Sequence, residues 1–181
     1  MSNLMNQALH TVEIWCGRNS LTVNPSKTES ILFTRKRNVQ TSVALRLFGT
    51  NIKRVNTVKY LGVVLDSKLN FNYHIDTKID KMRIAFWQCR KSFGMTWGLK
   101  SKMIYWIYAA IIRPTLVFAC HVWWQRTEQV TTIGKLHKLQ RMALVAITGS
   151  MRTTPSRAIE AFLGVSPLHL HIQYMAKRIC I

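Results

Sequence analysis

The chain has 181 residues, with 26 Lys and Arg against 7 Asp and Glu, for a formal charge of +19. Its length suits one or two small domains, and 48% hydrophobic residues is enough apolar material for a core, which excludes a disordered basic tail. Only Asp66, Asp76, Asp80, Glu13, Glu29, Glu128 and Glu160 could serve chemistry that needs carboxylates, so acid-rich metal catalysis is not expected.

Isolated surface charges farther apart than the Debye length, about 8 Å at physiological salt, act singly, so only clustered cations bind tightly. Because Lys and Arg occur throughout the chain, the partner that fits best is a polyanion with phosphates along its length. The plainer alternative is a solvated basic surface. Cys16, Cys89, Cys120 and Cys180 form no Cys-x-x-Cys pair, and the first residues lack the basic and apolar regions of a leader. This reads as a reducing compartment, nucleus or cytoplasm. Neither Cys120-His121 nor His169-x-His171 completes a metal-binding set.

In chain order, Ser2 to Cys16 reads as a helix capped by Ser2 and ended by Gly17, with Met5, Ala8, Leu9, Val12, Trp15 and Cys16 apolar. Leu21-Thr22-Val23 then enters the turn Asn24-Pro25-Ser26, which leads to an apolar strand Ile31–Phe33 closed by Arg35-Lys36-Arg37. Short strands follow at Val43–Phe48, Asn51–Arg54 and Thr57–Leu65, completing one helix and a small antiparallel meander. After Asp66 the period becomes helical. Ile75, Ile79, Met82, Phe86, Cys89 and Phe93 share one face of a helix ending at Gly94, while Lys78, Lys81, Arg83, Arg90 and Lys91 lie mostly off it. That basic surface suits a phosphate backbone; an ordinary amphipathic helix explains it equally.

Residues 103–124 are nearly continuous apolar sequence, about 33 Å long if helical, which raises a membrane span. Arg113-Pro114 at the centre opposes insertion and predicts instead two buried helices, or one kinked at Pro114. Three further helices are expected: Ile133–Thr148 ended by Gly149, one opened by Thr154-Pro155 and closed by Gly164, and a last one opened by Ser166-Pro167. The fold class is α+β.

The usual frames for P-loop, dinucleotide, serine-hydrolase and zincin chemistry are absent from the sequence. Asp76 and Asp80 share a helix face at i,i+4, and surface ion pairing is the preferred reading over cation binding. Trp15, Trp87, Trp97, Trp106, Trp123, Trp124, Tyr60, Tyr73, Tyr105 and Tyr108 could stack on bases, but most are expected in the core.

Taken together, Leu21–Glu29, Ile31–Lys36, Val58–Asp66, Trp97-Gly98-Leu99, Trp106–Tyr108, Arg113-Pro114, Val122–Trp124, Ala146–Pro155 and Leu163–Leu168 form an ordered set covering essentially the whole chain. It resembles the reverse transcriptase of Jockey-related non-LTR retrotransposons, just before the ribonuclease H domain. The resemblance implies that 1–70 ends the polymerase palm, 71–127 is a helical thumb and 128–181 a helical connection. It makes Lys27 a candidate general acid for pyrophosphate departure, or a plain turn lysine. It matches Val58–Gly62 to the primer grip, where Lys59 would meet a phosphate, Tyr60 and Leu61 would support the primer end, and Gly62 belongs to the same nucleic-acid-binding hairpin. Lys78, Lys81, Arg90 and Lys91 would follow an RNA or RNA/DNA template–primer duplex.

The family's aromatic-x-Asp-Asp turn is not in this sequence. The expectation is a fragment that is catalytically inactive alone, that holds no cofactor, and that leaves Mg2+ and the fingers, remaining palm and ribonuclease H to other parts of the same polyprotein. The alternatives are a free-standing basic nucleic-acid-binding module from a decayed element and, ranked below it, a membrane protein with one span at 103–124.

Overall fold

The computed structural model describes residues 2–36, 44–91 and 100–179, which divide into two compact units, Met1–Asn70 and Phe71–Ile181. Among the described residues, the first is a helix with paired short strands and the second has helices and no strand, an α+β composition.

The first unit opens with α1, Ser2–Arg18. Gly17 does not end it. The left-handed residue is Ser20, at φ +55°, and the Leu21 amide reaches back to the Cys16 carbonyl in a closing bond of the Schellman type. Asn24 then nucleates a single 3-10 turn, Pro25–Lys27: its side-chain oxygen accepts from the Ser26 amide at 2.9 Å and the Ser26 hydroxyl at 2.6 Å.

Strand β1 is only Glu29–Ser30 and pairs in parallel with β4, Lys53–Arg54, so the strands are not a purely antiparallel meander. The expected strand at Ile31–Phe33 does not form. A strand needs a neighbouring backbone, and here the chain turns instead to a single bond from the Thr34 amide to the Ser67 carbonyl. Strands β2, Arg46–Leu47, and β3, Thr50–Asn51, make a hairpin across Phe48 and Gly49, shorter than the strands expected there; Val43 and Arg37 lie outside the described residues. Glu13 of α1 accepts from the Phe48 amide, a bond that, with His10 beside it, holds the Glu13 carboxyl below its ordinary range.

The predicted run Thr57–Leu65 folds as a hairpin, β5 Thr57–Tyr60 against β6 Val63–Asp66, with Tyr60 opposite Val63. Among the described residues of this unit, the buried apolar side chains are Cys16, Leu47, Ile52 and Val63. Leu4, Met5, Val12, Ile14 and Trp15 of α1 are exposed.

In the second unit, α2, Asn72–Lys91, buries Ile75, Met82 and Phe86 and half-buries Ile79 and Cys89, as the period required. Phe93 and Gly94 lie outside the described residues. The apolar run that follows is broken. It comprises α3, Ser101–Ile107; a wider π turn, Tyr108–Ile112; α4, Arg113–Val117; and α5, Cys120–Trp123. Pro114 sits in the first turn of α4, where its missing N–H costs little, and the widened turn before it absorbs the ring.

The sharp break comes later, at Ala119, whose φ is +56°. Among the described residues no single helix is long and apolar enough to cross a membrane; the stretch passes on length and composition only as a pair bent by 54°. The rest is α6, Val130–Thr148; α7, Ser156–Leu163; and α8, Leu168–Ile179, with Gly149 and Gly164 in left-handed caps. One core holds residues from α2 through α8, including Phe86, Leu116, Trp123, Leu136, Leu144 and Ile172.

Most aromatic rings are not in that core. Tyr108 and Trp123 are buried, Tyr105 and Trp124 half-buried, and Trp15, Trp87, Trp106, Tyr60 and Tyr73 exposed; Trp97 is outside the described residues. A helix that is apolar all round still buries one face, and Trp106 falls on the other.

Candidate nucleic-acid interface

In the first unit the sequence-predicted residues Lys59, Tyr60, Leu61 and Gly62 come together at the tip of the β5–β6 hairpin. Both turn residues are left-handed, Leu61 at φ +46° and Gly62 at φ +84°, as a two-residue turn between twisted strands requires. Glycine takes this conformation freely, whereas leucine is strained there by about 1–2 kcal/mol. Leu61 is also 77% exposed and Tyr60 64%. The tip is thus strained, apolar and solvent-facing, with Lys59 exposed behind it. Lys27 stands exposed at the end of its 3-10 turn.

In the second unit the structure separates the four basic residues expected on one face of α2. Lys81 and Lys91 are exposed. Lys78 turns the other way: its ammonium donates to the Thr115 carbonyl at 3.0 Å and the Phe118 carbonyl at 3.4 Å, and lies 4.9 Å over the Phe118 ring. Burial pushes its pKa down. The end of α4 leaves carbonyls without helical partners, and Lys78 fills that need. Arg90 goes to a cleft with α6, its guanidinium 5.4 Å over the Trp87 indole.

That cleft, about 630 Å3, has a floor of Trp87, Met142, Val145 and Ala146 and is bordered by Arg90, Lys138, Arg141 and Arg152. The Trp87 indole N–H donates to the Met142 sulfur at 3.1 Å. Arg141 is committed to the loop after α6, donating to the carbonyls of Thr154 at 2.8 Å and Arg152, and to the Ser156 hydroxyl at 2.5 Å. Lys138 and Arg141 share α6, but Arg152 and Trp87 join them only through the fold.

A second cleft lies farther along the α2–α6 seam, and the aspartates are there. Asp76 pairs with Lys135 at 2.5 Å and Asp80 with Arg83 at 3.0 Å, so their partners are not the flanking Lys78 and Lys81. Asp66 accepts from the Asn70 amide at 3.1 Å. Among the described residues no group of three His, Cys, Asp or Glu is placed to hold a metal ion. The aspartates present do not fit a two-metal phosphoryl-transfer site.

Comparison with known proteins gives the context for this surface. The chain is 26% identical over 184 residues to the RNA-directed DNA polymerase from mobile element jockey of Drosophila funebris, with 98% of the chain matching 19% of that protein. Its homologues are polymerase proteins of non-LTR retrotransposons. A Pol polyprotein of a type-1 retrotransposable element R1 from Nasonia vitripennis is 29% identical over 91% of the chain and 45% of its own length. The 115 kDa protein of the R1DM element of Drosophila melanogaster is 25% identical over 94% of the chain and 16% of its own length. The chain therefore spans between about a sixth and a half of the retrotransposon relatives it matches here. No family model matches it, and no solved structure does.

Proposed function

We propose that this chain is part of a retrotransposon RNA-directed DNA polymerase and that it contacts template–primer nucleic acid without polymerising alone. The observation that carries the reading is the match of nearly the whole chain to a minor part of polymerase relatives. In this reading 1–70 ends the palm, with the Lys59–Gly62 tip against the primer and Lys27 near the departing pyrophosphate. Residues 71–127 form the thumb and 128–181 the connection. Lys81 and Lys91 supply charge toward a duplex backbone, Arg90 faces the α2–α6 cleft, and Lys78 supports the fold.

Two features support it physically. The net charge of +19 suits a polyanion, and the exposed apolar side chains of α1 are the surface expected of a helix whose partner lies elsewhere in a polyprotein. Magnesium-dependent chemistry would fall to that other part.

The test is binding of the purified chain to an RNA/DNA duplex across a salt series. Affinity should fall steeply with salt, and Lys81→Ala with Lys91→Ala should lower the log–log slope by about 2. Primer extension should be absent. Affinity indifferent to salt, or extension by this chain alone, overturns the reading.

A further inference from the structure

The geometry points to the α2–α6 cleft floored by Trp87 as a binding site for unpaired, single-stranded nucleic acid, distinct from any duplex-tracking surface. The argument starts from the lining. Trp87, Met142, Val145 and Ala146 give an apolar floor, and Arg90, Lys138 and Arg152 are exposed cations at its border. Apolar side chains beside cations match one nucleotide unit: a base with an apolar face on a phosphate tether. The volume, about 630 Å3, lies within the roughly 300–1,000 Å3 of small-molecule sites.

A duplex cannot use such a floor. Its base faces are stacked on one another, and only its backbone reaches a protein groove. An unpaired base can leave the strand and lie against the indole, which is 40% exposed and carries the Arg90 guanidinium 5.4 Å from its ring centre.

Charge decides which end of the seam is used. At the Asp76 end, carboxylates already neutralise Lys135 and Arg83. At the Trp87 end the lining has no carboxylate among the described residues. The C-terminus of α6, at Gly149, contributes a partial negative charge of about half a unit, less than three full cations at the same border.

The site is also held in place. Met142 fixes the indole through its N–H, Phe86 sits edge-on to Trp87 at 5.8 Å, and Arg141 grips the Arg152 carbonyl, anchoring the loop that carries Arg152.

The experiment uses the whole chain and three labelled probes of equal length: an oligothymidylate, an abasic deoxyribose-phosphate oligomer and an RNA/DNA duplex, followed by fluorescence anisotropy at one salt concentration. The parent chain should bind the oligothymidylate about tenfold more tightly than the abasic oligomer. Trp87→Leu should remove that advantage and leave abasic and duplex binding as they were. Lys138→Ala with Arg152→Ala, both on the surface, should weaken both single-stranded probes and lower their salt slope by about 1–2. Equal affinity for oligothymidylate and abasic oligomer in the parent chain overturns the proposal with no variant needed. So does a Trp87→Leu loss shared equally by all three probes. Duplex binding that survives either result leaves the template–primer reading standing.

Discussion

The ammonium of Lys78 lies 4.9 Å over the ring of Phe118 and donates to that residue's own carbonyl. A lysine that sequence spacing placed on a phosphate-facing surface is instead a cap on α4. Lys78→Ala should therefore destabilise the second unit by about 1–2 kcal/mol, since a charged donor to two carbonyls is lost. Duplex affinity should change less than in Lys81→Ala. Urea unfolding read beside a binding titration checks both halves; a large affinity loss with unchanged stability would contradict the assignment.

His74 predicts an acid sensitivity. It is 1% exposed, packed edge-on to Trp123 at 5.9 Å, and burial, with Lys78 nearby, pushes its pKa from 6.5 down to about 4. Between those values the unfolded chain binds a proton that the folded chain refuses, so stability is full above about pH 6.5 and falls as pH drops toward 4. The loss is about 3 kcal/mol. His169 and His171, also lowered by burial, act in the same direction. Urea midpoints measured from pH 7 to pH 4.5 should fall, and His74→Gln should flatten most of the slope.

Arg141 anchors the passage from α6 to α7. Arg141→Lys keeps the charge but cannot serve the Arg152 and Thr154 carbonyls and the Ser156 hydroxyl together. A loss of about 2 kcal/mol is expected, with faster amide exchange across residues 150–156. Exchange unchanged there would mean that the loop is held by other means.

Gly149 caps α6 at φ +67°, and a Cβ added there would meet nothing within 4 Å. Gly149→Ala should thus cost only the backbone strain, about 1–2 kcal/mol, without repacking. Thermal unfolding should show a lowered midpoint with an unchanged near-ultraviolet dichroism spectrum.

Much of the helical unit was legible before any coordinates. The stripe Ile75–Met82–Phe86, the glycine stops at Gly149 and Gly164 and the proline starts at Pro155 and Pro167 are local signals. Local signals suffice where a helix satisfies its own backbone. The strands were read less well, because a strand depends on which backbone runs beside it. Ile31–Phe33 looks like a strand and has no strand partner among the described residues, whereas Glu29–Ser30 pairs with Lys53–Arg54 far along the chain. Gln140 shows the same limit: it is buried in α6, donating to the Ser166 carbonyl at 3.0 Å and accepting from the Leu168 amide at 2.5 Å. Nothing near it in sequence marks that clamp.

By itself the sequence determined the charge, the scarcity of carboxylates, the helical periods and the relationship to retrotransposon polymerases, since these depend on residue identity and order. Only the tertiary structure decided which cations face solvent. Lys78 and Arg141 turn inward to carbonyls, Asp76 and Asp80 neutralise Lys135 and Arg83, and Arg90, Lys138 and Arg152 gather beside Trp87. Net charge is additive along a chain, but a binding surface is set by which charges the fold leaves unpaired within a Debye length of one another.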